Sequence, residues 1–598
     1  MGGQISSPRS TNLVPQPPSC KDVLSFVFDD RPSQYEEQRP IYIDAQNPSW
    51  TLNAKQFRKL VRLLIAGFKA NGLQKGDCVL VHLSNQVLYS AIFYSIIGAE
   101  GIYMGTNPRC QTYELQHLLQ QVQPKVIVTS PDGLATVQKA VITKASQVCV
   151  LDDFSVVKLS KLLVSRPTTP AESITQNNKF EGDVVKFSSL LDHGECDWVR
   201  FDNQYLAEST PAAMFTTSGT GGLPKAAILS HHAIVMHHLS IHYEVPYDVT
   251  RLMSLPMFHL FGALWTHIFP IRYGQPLYVL PRFDLEQFVQ CVYIYRITET
   301  YMVPAMVQAL NRYSSLSLNE FLTSLRYVGV AGESIDGASI ERFQAKLHAE
   351  AQMSQLWGMT EIGVGLQTRY GVHNDPASIG RLLPNSEVKL VDNDGNTITH
   401  DDKVGELHIR GPGTLIGYKG MTSETAKDED GWFRTGDIMC TRNGNFYIVG
   451  RAKELIKVNG WQVAPAELEG VLHQHPEVAD AAVIGTQQHD SRNKSQNPAI
   501  VNEAVRAFIV PRYGCTPTAD SIYQFARERL ASYKAITGGI VFVEEIPRTA
   551  SGKIQRFKLS QMNSYRDMMA SLMVGRRVGS QVNGSRGTIE NISGEVVG

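Results

Sequence analysis

The chain has 598 residues, of which 43% are hydrophobic, 9% aromatic and 19% charged, a globular composition long enough for several domains. Its 56 Lys and Arg stand against 57 Asp and Glu, a net charge of −1. That balance excludes the basic excess on which a dedicated DNA or RNA binder depends.

Residues 1–25 are Ser- and Pro-rich and read as a disordered lead without the apolar core of a signal peptide. Met1-Gly2-Gly3-Gln4-Ile5-Ser6 fits the short N-myristoylation pattern at Gly2. FRKLVRLLIAGFKANGL is an amphipathic helix stopped by Asn71-Gly72. CVLVHL, KVIVTS and VCVL are short, mostly apolar runs, as buried parallel strands require. The most apolar stretch, Val87 to Met104, contains Glu100, two Ser and two Gly, so a buried helix followed by a strand or turn is expected and no stable membrane span. Residues 155–210 read as a loop-rich insertion or surface hairpin. The strand-and-helix alternation resumes with RLMSLPMF, PLYVLPRF, TETYMVPA and RYVGVAG. Beyond residue 385, EVKLVDNDGNTI and GELHIRGPG predict a small antiparallel unit with a hairpin at Asp394-Gly395. After about residue 453 a smaller α+β unit follows, with a polar loop over 486–503, and the last thirty or so residues read as disordered. The eight cysteines form no C-x-x-C pair and fit no zinc template, so reduced thiols in a cytoplasmic protein are expected.

Five segments carry chemistry. Thr216-Thr217-Ser218-Gly219-Thr220-Gly221-Gly222-Leu223-Pro224-Lys225 joins small hydroxylated residues, glycines and a lysine, a composition that lets backbone N–H groups approach phosphate. It is not a Walker loop, because Ala226 follows the lysine. Gln355-Leu356-Trp357-Gly358-Met359-Thr360-Glu361 places an aromatic, a hydroxyl and a carboxylate within five residues. Gly431 to Asp437 ends a glycine turn on an acid able to accept from ribose hydroxyls. Gly450 to Glu469 and Pro547 to Arg556 complete the set. Taken singly, each has a bland reading: His259 as a core histidine, Glu361 as a cap, Lys457 as a solvated charge, Trp357 as core.

Their order resembles that of the adenylate-forming (AMP-binding) ligases, and the wording VAPAELEGVL and PMFHLFG looks most like the 4-coumarate–CoA ligase and luciferase branch. The resemblance implies an α/β fold: a large N-terminal domain (26–452) of layered α/β subdomains plus a small β-barrel-like unit, then a small mobile α+β C-terminal domain (453–565) and a loose tail (566–598). It implies ATP-dependent conversion of a carboxylic acid to an acyl-adenylate, then transfer to the thiol of coenzyme A. The alternatives are a carrier-protein phosphopantetheine as acceptor, or a non-catalytic binding protein on the same fold. Thr216, Thr217, Ser218, Gly219, Thr220, Gly221, Gly222 and Lys225 would hold the β- and γ-phosphates. Thr360 would contact the α-phosphate and Glu361 Mg²⁺. Gly332, Glu333 and Ser334 would line the adenine pocket, Trp357, where the family usually has Tyr, would stack on adenine, and Gly358 would also contact ATP or AMP. Asp437 and Arg451 fall at the ribose, Lys553 at the mobile catalytic lysine, Lys453 at the hinge, and Lys457, Gly460 and Gln462 on the face presented to CoA. His259, Val303 and Val330 fall at the acyl pocket. Gly221, Ala226 and Leu356 depart from the usual residues without removing a needed charge. The pocket segments are small or apolar and no Asp stands at 258–262, so an aryl, cinnamate-like or fatty acid is expected and not an amino acid.

Overall fold

The computed structural model describes residues 5–6 and 21–562, apart from 33, 142–145, 164–183, 218–223, 314–316, 374, 422–426, 459–460, 488–502 and 550–551. Gly2, Ser218, Gly219, Thr220, Gly221, Gly222 and Gly460, and the lead and tail read as disordered, lie outside the described residues save for 5–6 and 21–25. The chain divides into two compact units. The larger comprises Met1–Leu455 with Ala464–Gly470 and Arg548–Lys553, and the smaller Ile456–Val463, Val471–Pro547 and Ile554–Gly598.

Three sheets build the larger unit. An eight-stranded sheet runs Gly417–Tyr418, Lys225–Ser230, Pro211–Thr217, Ile102–Gly105, Cys78–His82, Val126–Thr129, Gln147–Val150, Val184–Lys186. It is parallel from Pro211–Thr217 to its last strand, and Lys225–Ser230 pairs antiparallel with Pro211–Thr217. Cys78–His82 and Val126–Thr129 are buried at every residue, which is why these strands read as continuous apolar runs without alternation. A nine-stranded sheet has the parallel core Gln352–Met359, Tyr327–Val330, Glu299–Met302, Arg251–Met253, Leu277–Val279, Pro40–Asp44. Gly363–Gln367 joins it as an antiparallel hairpin partner of Gln352–Met359.

Helices pack on these faces. Ala54–Ala70 begins at a capping box of Asn53 and Gln56 and ends at Asn71, with Gly72 at φ +84°. Tyr89–Gly98 is buried at all ten residues and is followed by the strand Ile102–Gly105, so no span of the Val87–Met104 stretch reaches membrane length. No helix among the described residues is long and apolar enough to cross a membrane.

Two expectations change. Residues 184–186 form an edge strand of the eight-stranded sheet, and Phe187 and Trp198 are buried, so the segment 155–210 is only partly loop. A three-residue strand is too short to display periodicity. The antiparallel unit after residue 385 supplies five strands of an open six-stranded sheet whose remaining strand is Ile5–Ser6, with no barrel closure among the described residues. Its hairpin turns at Gly395, φ +85°. The smaller unit holds an antiparallel pair, Val478–Gln487 with Glu503–Pro511, a parallel third strand Ile540–Phe542, and the helix Ala519–Arg527.

Candidate active site

The nucleotide-side residues meet where two antiparallel strands are irregular. Phe433–Arg442 pairs with Gly405–Arg410, but its register slips between Glu406 and His408, and Gly436 takes φ +72°. Such a bulge re-aims the side chain beside it. Thr435 Oγ1 donates to the Leu407 carbonyl (2.7 Å) and accepts from the Asp437 amide (3.1 Å), fixing the kink. Asp437 is thereby turned inward and is 2% exposed. Arg451 lies opposite it in the next strand pair, with Nε 2.9 Å from Oδ1, a contact of opposite charges without the alignment of a hydrogen bond. Trp357 Nε1 donates to Asp437 Oδ2 at 2.8 Å.

Thr360 and Glu361, both buried, occupy the turn between Gln352–Met359 and Gly363–Gln367. The turn closes through Gly363 at φ +73°, and a Cβ there would stand 2.7 Å from the His237 ring. Glycine is required on both counts. Glu361 Oε1 accepts from the Tyr418 hydroxyl at 2.9 Å, and its carbonyl accepts from the Leu415 amide. Tyr418 pairs in register with Ala227, two residues past Lys225, whose ammonium lies 5.1 Å from the Tyr418 ring centroid. Thr216, Thr217 and Lys225 flank the phosphate-loop segment as paired strand ends, Thr217 opposite Lys225. Among the described residues no group of three or more metal-ligating side chains occurs. A single buried carboxylate suits a Mg²⁺ that arrives on a polyphosphate and keeps most of its ligands from phosphate and water.

A cavity of about 50 Å³ adjoins this turn, with Thr360, Gly358 and Gly332 on its wall. His259 also lines it and caps the helix Leu260–Thr266, accepting from the Phe261 amide through Nδ1. Burial, reinforced by the Lys553 ammonium, pushes the His259 pKa down to about 4, so the ring is neutral near pH 7. Gly262 allows the helix to rest on the Pro256 carbonyl, which an added Cβ would meet at 2.2 Å. Val303 lines the cavity; Val330, 1% exposed inside its strand, does not, and Ala331 takes that place.

Lys553 also lines the cavity. Thr549 clamps its backbone, donating N–H to the Lys553 carbonyl (2.7 Å) and accepting from the Lys553 amide through Oγ1 (3.1 Å). Arg548 donates to the Gly552 carbonyl and to Glu333 Oε2. Gly552, φ +88°, approaches Val303 so closely that a Cβ would be 2.8 Å from Cγ2. The Lys553 pKa is lowered, by burial first and by Arg451 second, against the opposing pull of Glu333, Asp437 and Glu361. Those charges therefore share one electrostatic neighbourhood. Ser334 is half-buried and Gly332, φ +103°, is exposed.

Lys453 is exposed in the turn that follows Arg451. In the smaller unit Lys457 and Gln462 are exposed on the hairpin Ile456–Val458 with Trp461–Val463, where the Lys457 amide donates to Glu503. Tyr418 and His237 were not singled out from sequence. Tyr418 lies in GTLIGYKG, a segment that reads as an ordinary turn until strand pairing brings it to Lys225.

The family model described as AMP-binding enzyme matches residues 28–419, and that described as AMP-binding enzyme C-terminal domain matches 467–553. A nicotinic acid–CoA ligase of Aspergillus fumigatus is 47% identical over 93% of this chain and 99% of its own. A second protein of that name, from Penicillium canescens, is 47% identical over 92% of this chain and 99% of its own. The ATP-bound MatB of Rhodopseudomonas palustris shares the fold, with a TM-score of 0.73 at 22% identity, covering 92% of this chain and 99% of that one. With Thr360, His259 and Lys553 lining one cavity and both family models matched in order, the chain belongs to the AMP-binding enzyme family, as an acid–thiol ligase of the acyl-CoA-forming kind.

Proposed function

We propose that this ligase joins a planar aromatic acid of the nicotinate class to coenzyme A. The observation that carries the reading is the cavity itself, with apolar walls from Phe261, Val303 and Ala331 and with His259 and Lys553 also lining it. Two relatives named for nicotinic acid, each 47% identical, support it. A carboxylate set beside Lys553 and Thr360 would lie where it can attack the α-phosphorus of ATP. The carboxylate oxygen forms the new P–O bond and the bridging bond to pyrophosphate breaks. The reaction brings two anions together, so the protein's task is positioning and charge neutralisation. Lys553 neutralises charge between carboxylate and α-phosphate; Glu361 would hold the magnesium of Mg-ATP, which neutralises the leaving phosphates. Neutral His259 packs against the acid without adding charge. In the second half the thiol sulfur attacks the acyl carbonyl, AMP leaves, and the thiol proton goes to solvent or buffer. Lys457, Gly460 and Gln462 would face the thiol substrate and Lys453 would be the hinge, on the strength of their motif positions.

A panel of acids in a pyrophosphate-release assay tests the reading. Nicotinate and benzoate-sized aromatic acids should give kcat/KM at least about tenfold above fatty acids of eight or more carbons, given the cost of forcing a longer chain into a small, mostly apolar cavity. A preference for long chains would contradict it.

A further inference from the structure

Trp357 stands where the resembled motif usually has Tyr, and its indole N–H has a partner that a Tyr would not engage in the same way. The strand Gln352–Met359 has a register shift at Trp357/Gly358: Trp357 lies opposite Leu366 and Gly358 opposite Val364, leaving Gly365 as the extra residue of a bulge. The six-membered ring of Trp357 covers that glycine. A Cβ on Gly365 would stand 2.9 Å from Cζ3 and 3.2 Å from Cε3, beside Ile409. Trp357 is 6% exposed. Its other edge carries the indole N–H, a donor with no acceptor capacity, and that N–H is 2.8 Å from Asp437 Oδ2. The second carboxylate oxygen, Oδ1, is buried, faces Arg451, and has no aligned hydrogen-bond donor among the described residues. The Arg451 guanidinium balances the charge of that oxygen, so the carboxylate is held from both sides, by the indole N–H at Oδ2 and by Arg451 at Oδ1.

We infer that Trp357 is a positioning residue for ribose recognition: its indole N–H fixes one oxygen of Asp437, as Arg451 does the other, and so sets the plane in which the carboxylate meets a sugar hydroxyl of the nucleotide. The inference rests on the reading that Asp437 meets the ribose. A phenylalanine keeps an aromatic ring over Gly365 but releases the carboxylate, whereas a stacking role would survive that change.

The test compares wild type, Trp357→Phe and Asp437→Ala in steady-state kinetics with ATP, 2′-deoxy-ATP and 3′-deoxy-ATP, with thermal unfolding of each. Trp357→Phe should raise KM for ATP about tenfold or more, leave kcat within about twofold, and shrink the preference for ATP over one deoxy analogue by a similar factor, as loss of one hydrogen bond to a charged group predicts. Replacement of Trp357 by β-(3-benzothienyl)alanine, which puts sulfur in place of N–H without changing shape, should do the same if the phenylalanine variant proves unstable. An unchanged preference in both Trp357 variants, with the preference lost in Asp437→Ala, overturns the inference. A full preference in Asp437→Ala overturns the ribose assignment itself and the inference with it.

Discussion

On the proposed reading, the Lys553 ammonium would serve a developing charge in a place where burial already disfavours it. A preorganised charge of this kind contributes about 10²–10³ in rate. Lys553→Ala should therefore lose at least about 10² in adenylation, read as acid-dependent ATP–pyrophosphate exchange, while thioester formation from synthetic acyl-adenylate stays within about fivefold. Equal loss in both halves would assign Lys553 to general stability instead. The residues legible in the sequence are those whose chemistry is local to a motif: Thr360 and Glu361 two and three positions past a glycine, Asp437 one past another, Lys553 one past a third. Trp357 was legible as an aromatic at the nucleotide, but not in its direction, because the bulge that tips its ring over Gly365 has no signal in the residues before it. Tyr418 was illegible because its partner Glu361 is 57 positions away and its strand partner Ala227 farther still.

Among the elements, the turn from Gln352–Met359 to Gly363–Gln367 holds Thr360 and Glu361 by backbone geometry and by the His237 ring behind it. His237 Nε2 lies 2.6 Å from the Gly413 carbonyl, and an added Cβ on Gly413 would also meet the ring at 2.7 Å, so the imidazole is wedged between two glycines. Gly363→Ala should destabilise by about 1–3 kcal/mol, from a left-handed backbone and a clash with packed atoms. The check is a lower urea midpoint for the transition that reports the larger unit, accompanied by a raised KM for ATP. The parallel strands of the two large sheets were legible because residues buried on both faces need continuous apolar runs. The edge strand Val184–Lys186 was not, since three residues next to a polar stretch cannot show a period.

At the level of the whole molecule, the larger unit buries several histidines in their neutral form. Burial pushes His82, His237, His242 and His259 down to about 4, and His231 and His267 to about 3, against an ordinary 6.5. Between pH 6.5 and about 4 the unfolded chain binds more protons than the folded one, so stability is complete above 6.5 and falls as the pH falls through that window. The melting temperature at pH 5 should be lower than at pH 7 by roughly 5 °C or more, measured by calorimetry. An unchanged value would show that these rings are not the buried neutral groups described. The near-zero net charge of the chain gave no hint of such sites, because a count of charges carries no position. The open form of the six-stranded sheet was equally invisible, since closure depends on the pairing of its first and last strands, not on the pattern of any one.

The central claim is that the acid is activated through an acyl-adenylate, and the oxygen atoms record it. With nicotinate labelled with ¹⁸O in both carboxylate oxygens, plus ATP, Mg²⁺ and coenzyme A, one labelled oxygen should leave in AMP for each thioester formed, as mass spectrometry would read. AMP without label, or label in pyrophosphate or inorganic phosphate, would contradict the account.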